Sequence, residues 1–341
     1  MSSPMRFTVA AVTITALISA SGVAHSATRT SVEDLARSAN FEQTYDAEAS
    51  NFSVEHSGSG ARVSVEAPDD AGHAQEGDQP GTSFQVTIPD SRKPVERSGP
   101  AEIWSADGRS IVKVNPHASG VEFATAVEPD KGAAELRFDL NAPKDVRLEP
   151  GFEGQLLIVD DLNTYGAVDV VTATDSAGAS LPSEVKVKGG VLTQSIDAAD
   201  AAPGAVAASM KLAYTFQYHT DKSFSKSRSL LKKCFNCYFP VKGAPKKFPK
   251  KGQVLPLRYG AMNMKCKMRS ETFTSTYFSF GFTALKGHAY GKGSTIGFTF
   301  RNNRTLIVSA RSNSKLLKSR FVREETRAHW KKFADNLRRA R

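Results

Sequence analysis

The chain has 341 residues with 45 Lys+Arg against 35 Asp+Glu, a formal net charge of +10, 40% apolar residues and three cysteines. The apolar fraction excludes a wholly disordered chain, and three cysteines exclude a disulfide-dense mini-protein. The total charge hides a division: residues 1–230 carry 19 basic and 31 acidic side chains, a net of −12, whereas residues 231–341 carry 26 basic side chains against Glu271, Glu324, Glu325 and Asp335 alone, a net of +22.

In chain order, Met1 and Arg6 precede an uncharged apolar run from Phe7 to Ala20, and Ala24-His25-Ser26 follows with small residues at its first and third positions. The order positive, apolar, small predicts a secretory signal peptide over residues 1–26, and so a secreted, extracellular protein. A transmembrane helix needs about 20 apolar residues. This run is too short and too rich in Thr and Ser, and no later one is long enough, so no transmembrane anchor is expected. Residues 27–81 read as a partly disordered leader. Within it, Ser31 and Asp34 have capping-box spacing for a short helix through Ala36, and residues 58–82 are rich in Gly, Ser, Asp and Glu.

Residues 82–197 predict an acidic, all-β, sandwich-like domain. Phe84–Ile88, Ile111–Val114, Val121–Ala124 and Ala134–Leu140 alternate apolar and polar, and runs over 154–159, 167–173, 185–187 and 191–196 continue the series. Gly, Pro and Asp clusters part them at sandwich or barrel intervals. Ala134-Glu135-Leu136-Arg137-Phe138, Gly154-Gln155-Leu156-Leu157-Ile158, Thr174-Asp175-Ser176-Ala177-Gly178 with Leu181-Pro182, and Gly189-Gly190-Val191-Leu192-Thr193-Gln194 together resemble a β-rich region of uncharacterised secreted actinobacterial proteins. The likeness covers about residues 101–197. It implies a signal peptide before the region and a variable C-terminal domain after it, and offers no catalytic residues to carry over. A Tyr-Pro-Val-Val-Ala-Asp-Pro-like stretch that many of those proteins have next is replaced here by an Ala-rich one.

That stretch, residues 198–210, reads as a linker. Residues 211–341 then predict a basic domain, a small antiparallel sheet closed by a C-terminal helix. Leu212–Tyr218, Val254–Leu257, Thr272–Leu285, Thr295–Phe300 and Thr305–Ala310 are strand-like, and residues 286–293 form a Gly-rich turn. Over residues 323–339, Trp330, Phe333, Ala334 and Leu337 recur with helical spacing. Their natural place is against the sheet, the rival being an anionic membrane surface.

In an oxidising compartment two of Cys234, Cys237 and Cys266 are expected to bridge, either Cys234 to Cys237 or one of these to Cys266 across about 30 residues. A Cys₃His zinc site completed by His288 is the less favoured alternative, and no cofactor or metal is expected. His288 is a candidate general base in the Gly-rich turn. Glu271, the sole carboxylate between Cys234 and Val322, is the corresponding acid. Such sparse carboxylates argue against a two-carboxylate glycosidase or a divalent-metal nuclease in this segment.

The stronger signal is basic. Lys246, Lys247, Lys250 and Lys251 flank Phe248-Pro249, while Lys265, Lys267 and Arg269 alternate along one strand, about 7 Å apart by strand geometry. Lys331, Lys332 and Arg338 add charge on the last helix. These residues point to a non-catalytic module for an extracellular polyanion: a cell-wall polymer, a nucleic acid or an anionic membrane surface. Near-complementary charge also suggests an intramolecular contact between the acidic and basic parts. With it comes the alternative of a secreted effector or toxin, such as a metal-independent nuclease held inactive by its acidic domain.

Overall fold

The computed structural model describes residues 31–36, 51–57, 60–66, 84–92, 95–96, 101–117, 119–259, 262–312 and 320–341. The proposed signal peptide lies outside them. They form three antiparallel sheets and four helices, so the chain is mainly β as its period-two patterning requires.

The first sheet has β1 (Asn51–Ser57), β2 (Gly60–Glu66), β3 (Phe84–Ile88), β8 (Ala133–Leu140), β13 (Val191–Asp197) and β12 (Ser183–Lys188), in that spatial order. The second has β4 (Val95–Glu96), β5 (Ala101–Trp104), β6 (Ser110–His117), β7 (Gly120–Val127), β14 (Val206–Ala213), β11 (Thr164–Thr174), β10 (Leu156–Val159) and β9 (Arg147–Pro150). One core joins them: Val63, Val86, Phe138 and Leu192 of the first pack with Val112, Val114, Phe123 and Met210 of the second. The Phe123 and Phe138 rings lie 5.0 Å apart between centroids. This is a sandwich.

Two expectations change here. The span 27–81 holds helix α1 (Val32–Ala36) and the β1–β2 hairpin. In α1, Ser31 Oγ accepts the Asp34 N–H at 3.1 Å and donates to the Asp34 carboxylate at 2.9 Å. The rest of that span lies outside the described residues. The Ala-rich stretch over 198–210 is not a free linker. Ala205, Val206, Ala208 and Met210 are buried, and β14 sits in the middle of the second sheet between β7 and β11. Its small side chains, which in the sequence suggest flexibility, let α1 lie close against β7 and β14.

Only Tyr214 separates β14 from β15 (Thr215–His219), which opens the third sheet. It continues through β20 (Thr305–Arg311), β19 (Thr295–Arg301), β18 (Tyr277–Ala284), β17 (Met262–Phe273) and β16 (Val254–Tyr259), the last an edge. Its inner face carries Phe278, Phe280, Phe282, Phe298 and Phe300, all at most 2% exposed. Helices α2 (Phe224–Lys233), α3 (Phe235–Tyr238) and α4 (Arg320–Arg338) cover that face. Trp330, Phe333, Ala334 and Leu337 of α4 are buried there, so the aromatic side of the last helix is spent on the core and not on a membrane. Among the described residues no helix is long and apolar enough to cross a membrane.

Candidate functional site

The alternation that places phenylalanines inside places Thr, Ser, Gly and Arg on the other face of the third sheet, and that outer face divides in two. Over β15, β20, β19 and β18 it is covered by β10, β11 and the turn before β10. Leu157, Val159 and Ala167 pack with Ile307. The Phe152 ring fills a notch made by Gly281 and Gly297, which face each other across β18 and β19. A Cβ on Gly297 would lie 2.6 Å from Phe152 Cβ, and one on Gly281 2.3 Å from Phe152 Cζ.

Three basic residues of this sheet meet carboxylates from the preceding part of the chain. Arg301 is buried, its Nε 3.0 Å from Glu149 Oε2 and its Nη2 donating to the Asp160 carbonyl at 3.0 Å. Arg269 Nε lies 2.6 Å from Glu153 Oε2, and Ser270 Oγ donates to the other Glu153 oxygen at 2.8 Å. Arg311 pairs with the buried Asp169 carboxylate. Glu153 sits in the left-handed region, φ 48° and ψ 56°, inside the turn Phe152–Gly154 that carries Phe152. Side chain and wedge are thus set by one turn.

The other half of the outer face, over β17 and β16, is open. Lys265 and Lys267 are exposed there opposite Pro256 and Val254. The loop into β16 carries exposed Lys246, Lys247, Lys250 and Lys251 on the inner-face side of the sheet, where Phe248 packs against Phe235, Phe278 and Phe280. Phe248 and Pro249 are buried beneath them, and the Gly252 N–H bonds the Met268 carbonyl at 2.8 Å. Among the described residues no carboxylate pairs with any of these six lysines.

Arg269 does not join them. The register shifts between Met268 and Glu271, and this bulge turns Arg269 toward Glu153. On α4, Lys331 lies 3.6 Å from Asp335, Arg338 also pairs with Asp335, and Lys332 is exposed. Lys331 and Arg338 are therefore matched within their own helix. Pairing at Glu149, Glu153 and Asp169 is invisible in composition. The glycines did carry a signal, since a lone Gly inside an aromatic strand marks close approach of another group.

Glu271 is a structural anchor: it binds Arg228 Nε at 3.0 Å and Lys232 Nζ at 2.5 Å, tying β17 to α2. His288 is buried in the turn between β18 and β19, out of reach of solvent as a general base would not be. Its Nδ1 accepts the Tyr290 N–H at 3.1 Å, and burial pushes its pKa down to about 4. No contact joins it to Glu271, so the two do not form an acid–base pair.

The His288 shift has a thermodynamic consequence. The unfolded state takes up a proton near pH 6.5 and the native state only near 4, so stability is complete above the higher value and falls as pH drops between them. The full shift corresponds to about 3 kcal/mol. In His288→Asn, whose side-chain oxygen can still accept from Tyr290, urea unfolding should lose that pH-dependent component between pH 7 and 4.5. Equal losses in variant and parent would assign the acid sensitivity elsewhere.

Cys234 and Cys237 form the disulfide. Cys266 is free and buried on the inner face of β17, its thiol pushed up to about 12 by desolvation. The cross-strand bridge is therefore not made, because Cys266 faces the core while Cys234 and Cys237 lie at the outer end of α2 and in α3. Nor do the cysteines gather with His288: among the described residues no cluster of His, Cys, Asp and Glu could hold a metal.

Cys266 instead lines a cavity of about 140 Å³ between the inner face of β16–β19, the segment after α3 and helix α4, with almost wholly apolar walls. Interiors rarely keep such apolar space unfilled, and this one opens to solvent beside Met262, which is 48% exposed. Comparison with protein families and with curated proteins returns no match for this chain, so its function has to be argued from these surfaces.

Proposed function

We propose that this is an exported protein that binds an extracellular polyanion through the lysine edge of its third sheet. The observation that carries the proposal is a contrast around one sheet: Arg269, Arg301 and Arg311 on its outer face are matched by carboxylates of the same chain, while Lys265 and Lys267 on that face, and Lys246, Lys247, Lys250 and Lys251 in the loop entering β16, are exposed and unmatched among the described residues. Lysines also guard edge strands against pairing with other sheets. That duty needs one or two charges, and here the charge continues off the strand into the loop over 246–251. The apolar–small pattern over residues 1–26 and a disulfide in a chain with only three cysteines fit an oxidising compartment.

Binding to a polyanion releases counterions, so the affinity falls linearly on a log–log plot against salt. Changing Lys246, Lys247, Lys250 and Lys251 together to Gln should reduce that slope by about 3 for RNA or polyphosphate and weaken binding without sequence preference. Filter binding or fluorescence anisotropy across a salt series measures it. Binding that is lost below physiological salt, or that the quadruple variant leaves intact, would refute the proposal. RNA degradation in the same assay would instead favour the effector alternative.

A further inference from the structure

We infer that the cavity behind the third sheet is a binding site for the end of an alkyl chain borne by an anionic amphiphile. This site is separate from the lysine edge and does not depend on polyanion binding. The walls come from Phe239, Leu257, Met264, Cys266, Phe298 and Trp330 among others, and offer a guest dispersion contacts with few hydrogen-bonding groups. A dry apolar cavity of about 150 Å³ takes up a six-carbon ring, so 140 Å³ holds a chain segment of comparable size and not a whole lipid.

The guest must therefore leave its remainder outside the cavity, and two features of the surrounding chain fit a guest with an anionic head. Met262, which lines the cavity at the start of β17, is 48% exposed. An unbranched, polarizable thioether at a rim adapts to a flexible guest. Exposed cations then stand within two residues of lining positions on separate segments: Lys242 beside Val241, and Lys286 and Lys292 on either side of His288–Tyr290. His288, neutral through burial, brings no competing charge into the wall.

The chain has two tryptophans. In the Trp104→Phe protein, Trp330 of the cavity wall is the only indole and reports occupancy directly. Decanoate, well below its micelle concentration, should shift Trp330 emission saturably. Decanol should bind more weakly, and decyltrimethylammonium more weakly still.

Ala289→Leu, which fills the partly exposed rim, should weaken decanoate by at least about tenfold. Changing Lys242, Lys286 and Lys292 to Gln should weaken decanoate several-fold and leave decanol unchanged. The Lys246/Lys247/Lys250/Lys251→Gln variant should bind decanoate like the parent, so failure of either site is seen independently of the other. If Ala289→Leu disturbs folding, Met-methyl NMR of the parent keeps the test open, since decanoate should shift the Met262 and Met264 signals first. No saturable change at Trp330 and at these methyls, or equal affinity for the anionic and cationic decyl probes, would overturn the inference.

Discussion

Gly297→Ala should destabilise the protein by about 3–5 kcal/mol, the range set by expelling a buried aromatic side chain. An added Cβ meets three atoms of Phe152 at 2.6–2.7 Å and no other group so closely. The ring is 5% exposed, so the methyl can be accommodated only by driving Phe152 from its notch. Phe152→Gly should carry a similar cost on its own. The double variant should then cost little more than Phe152→Gly alone, because the second methyl enters space already vacated.

Gly281→Ala supplies the control. Its Cβ also meets the Ile296 carbonyl oxygen at 2.5 Å, a backbone contact that removing Phe152 does not relieve, so no rescue is expected there. A double-mutant cycle by urea unfolding measures both couplings. Additive costs for Gly297→Ala and Phe152→Gly would mean that the wedge does not hold the third sheet to the sandwich.

This contact shows what was and was not legible in the sequence. Alternation in Phe278–Phe282 and Ile296–Phe300 predicted both strands and their inner face, because one side was wholly aromatic. Nothing in its Thr, Ser and Gly, the ordinary residues of a wet surface, marks the outer face as covered. In fact Thr299, Ser279 and Gln217 are at most 2% exposed. Period-two patterning names the face that is more apolar. It cannot say that the less apolar face is also covered, because that depends on a strand more than a hundred residues away.

The Ala-rich β14 failed for a related reason: alanines in a strand and alanines in a linker look alike until a neighbour such as α1 is seen to need their small size. The two short helices after β15 were missed as well. Phe224, Leu230, Leu231 and Phe235 are spread among lysines that masked their common face. The lysine edge itself was readable, since unpaired charge leaves its mark in composition. Arg269 was the exception, because the bulge that redirects it has no signature in residue type.

Removing Glu149 should be more damaging than removing its partner. The Arg301 side chain is 5% exposed, whereas that of Glu149 is 32% exposed and also contacts Arg147 at 2.8 Å. Glu149→Ala therefore strands a guanidinium in the interface with the Asp160 carbonyl as its main remaining acceptor. An uncompensated buried charge costs about 3–5 kcal/mol. Arg301→Met leaves a carboxylate that water and Arg147 still solvate, and should cost clearly less.

The pair of substitutions together should recover most of the Glu149→Ala loss, because the buried charge is then gone. Chemical unfolding of the three variants tests the order, and a larger loss for Arg301→Met would show that the guanidinium reaches water when its partner is absent. The same series in rising salt separates two populations of basic residues. Shielded from solvent, the Arg301 pair is weakly screened, so its contribution should change little with salt over the range in which binding through Lys246–Lys251 collapses. Charge on this sheet would then serve two ends at once, with arginines fixed inward to the acidic sandwich and lysines left outward for a partner.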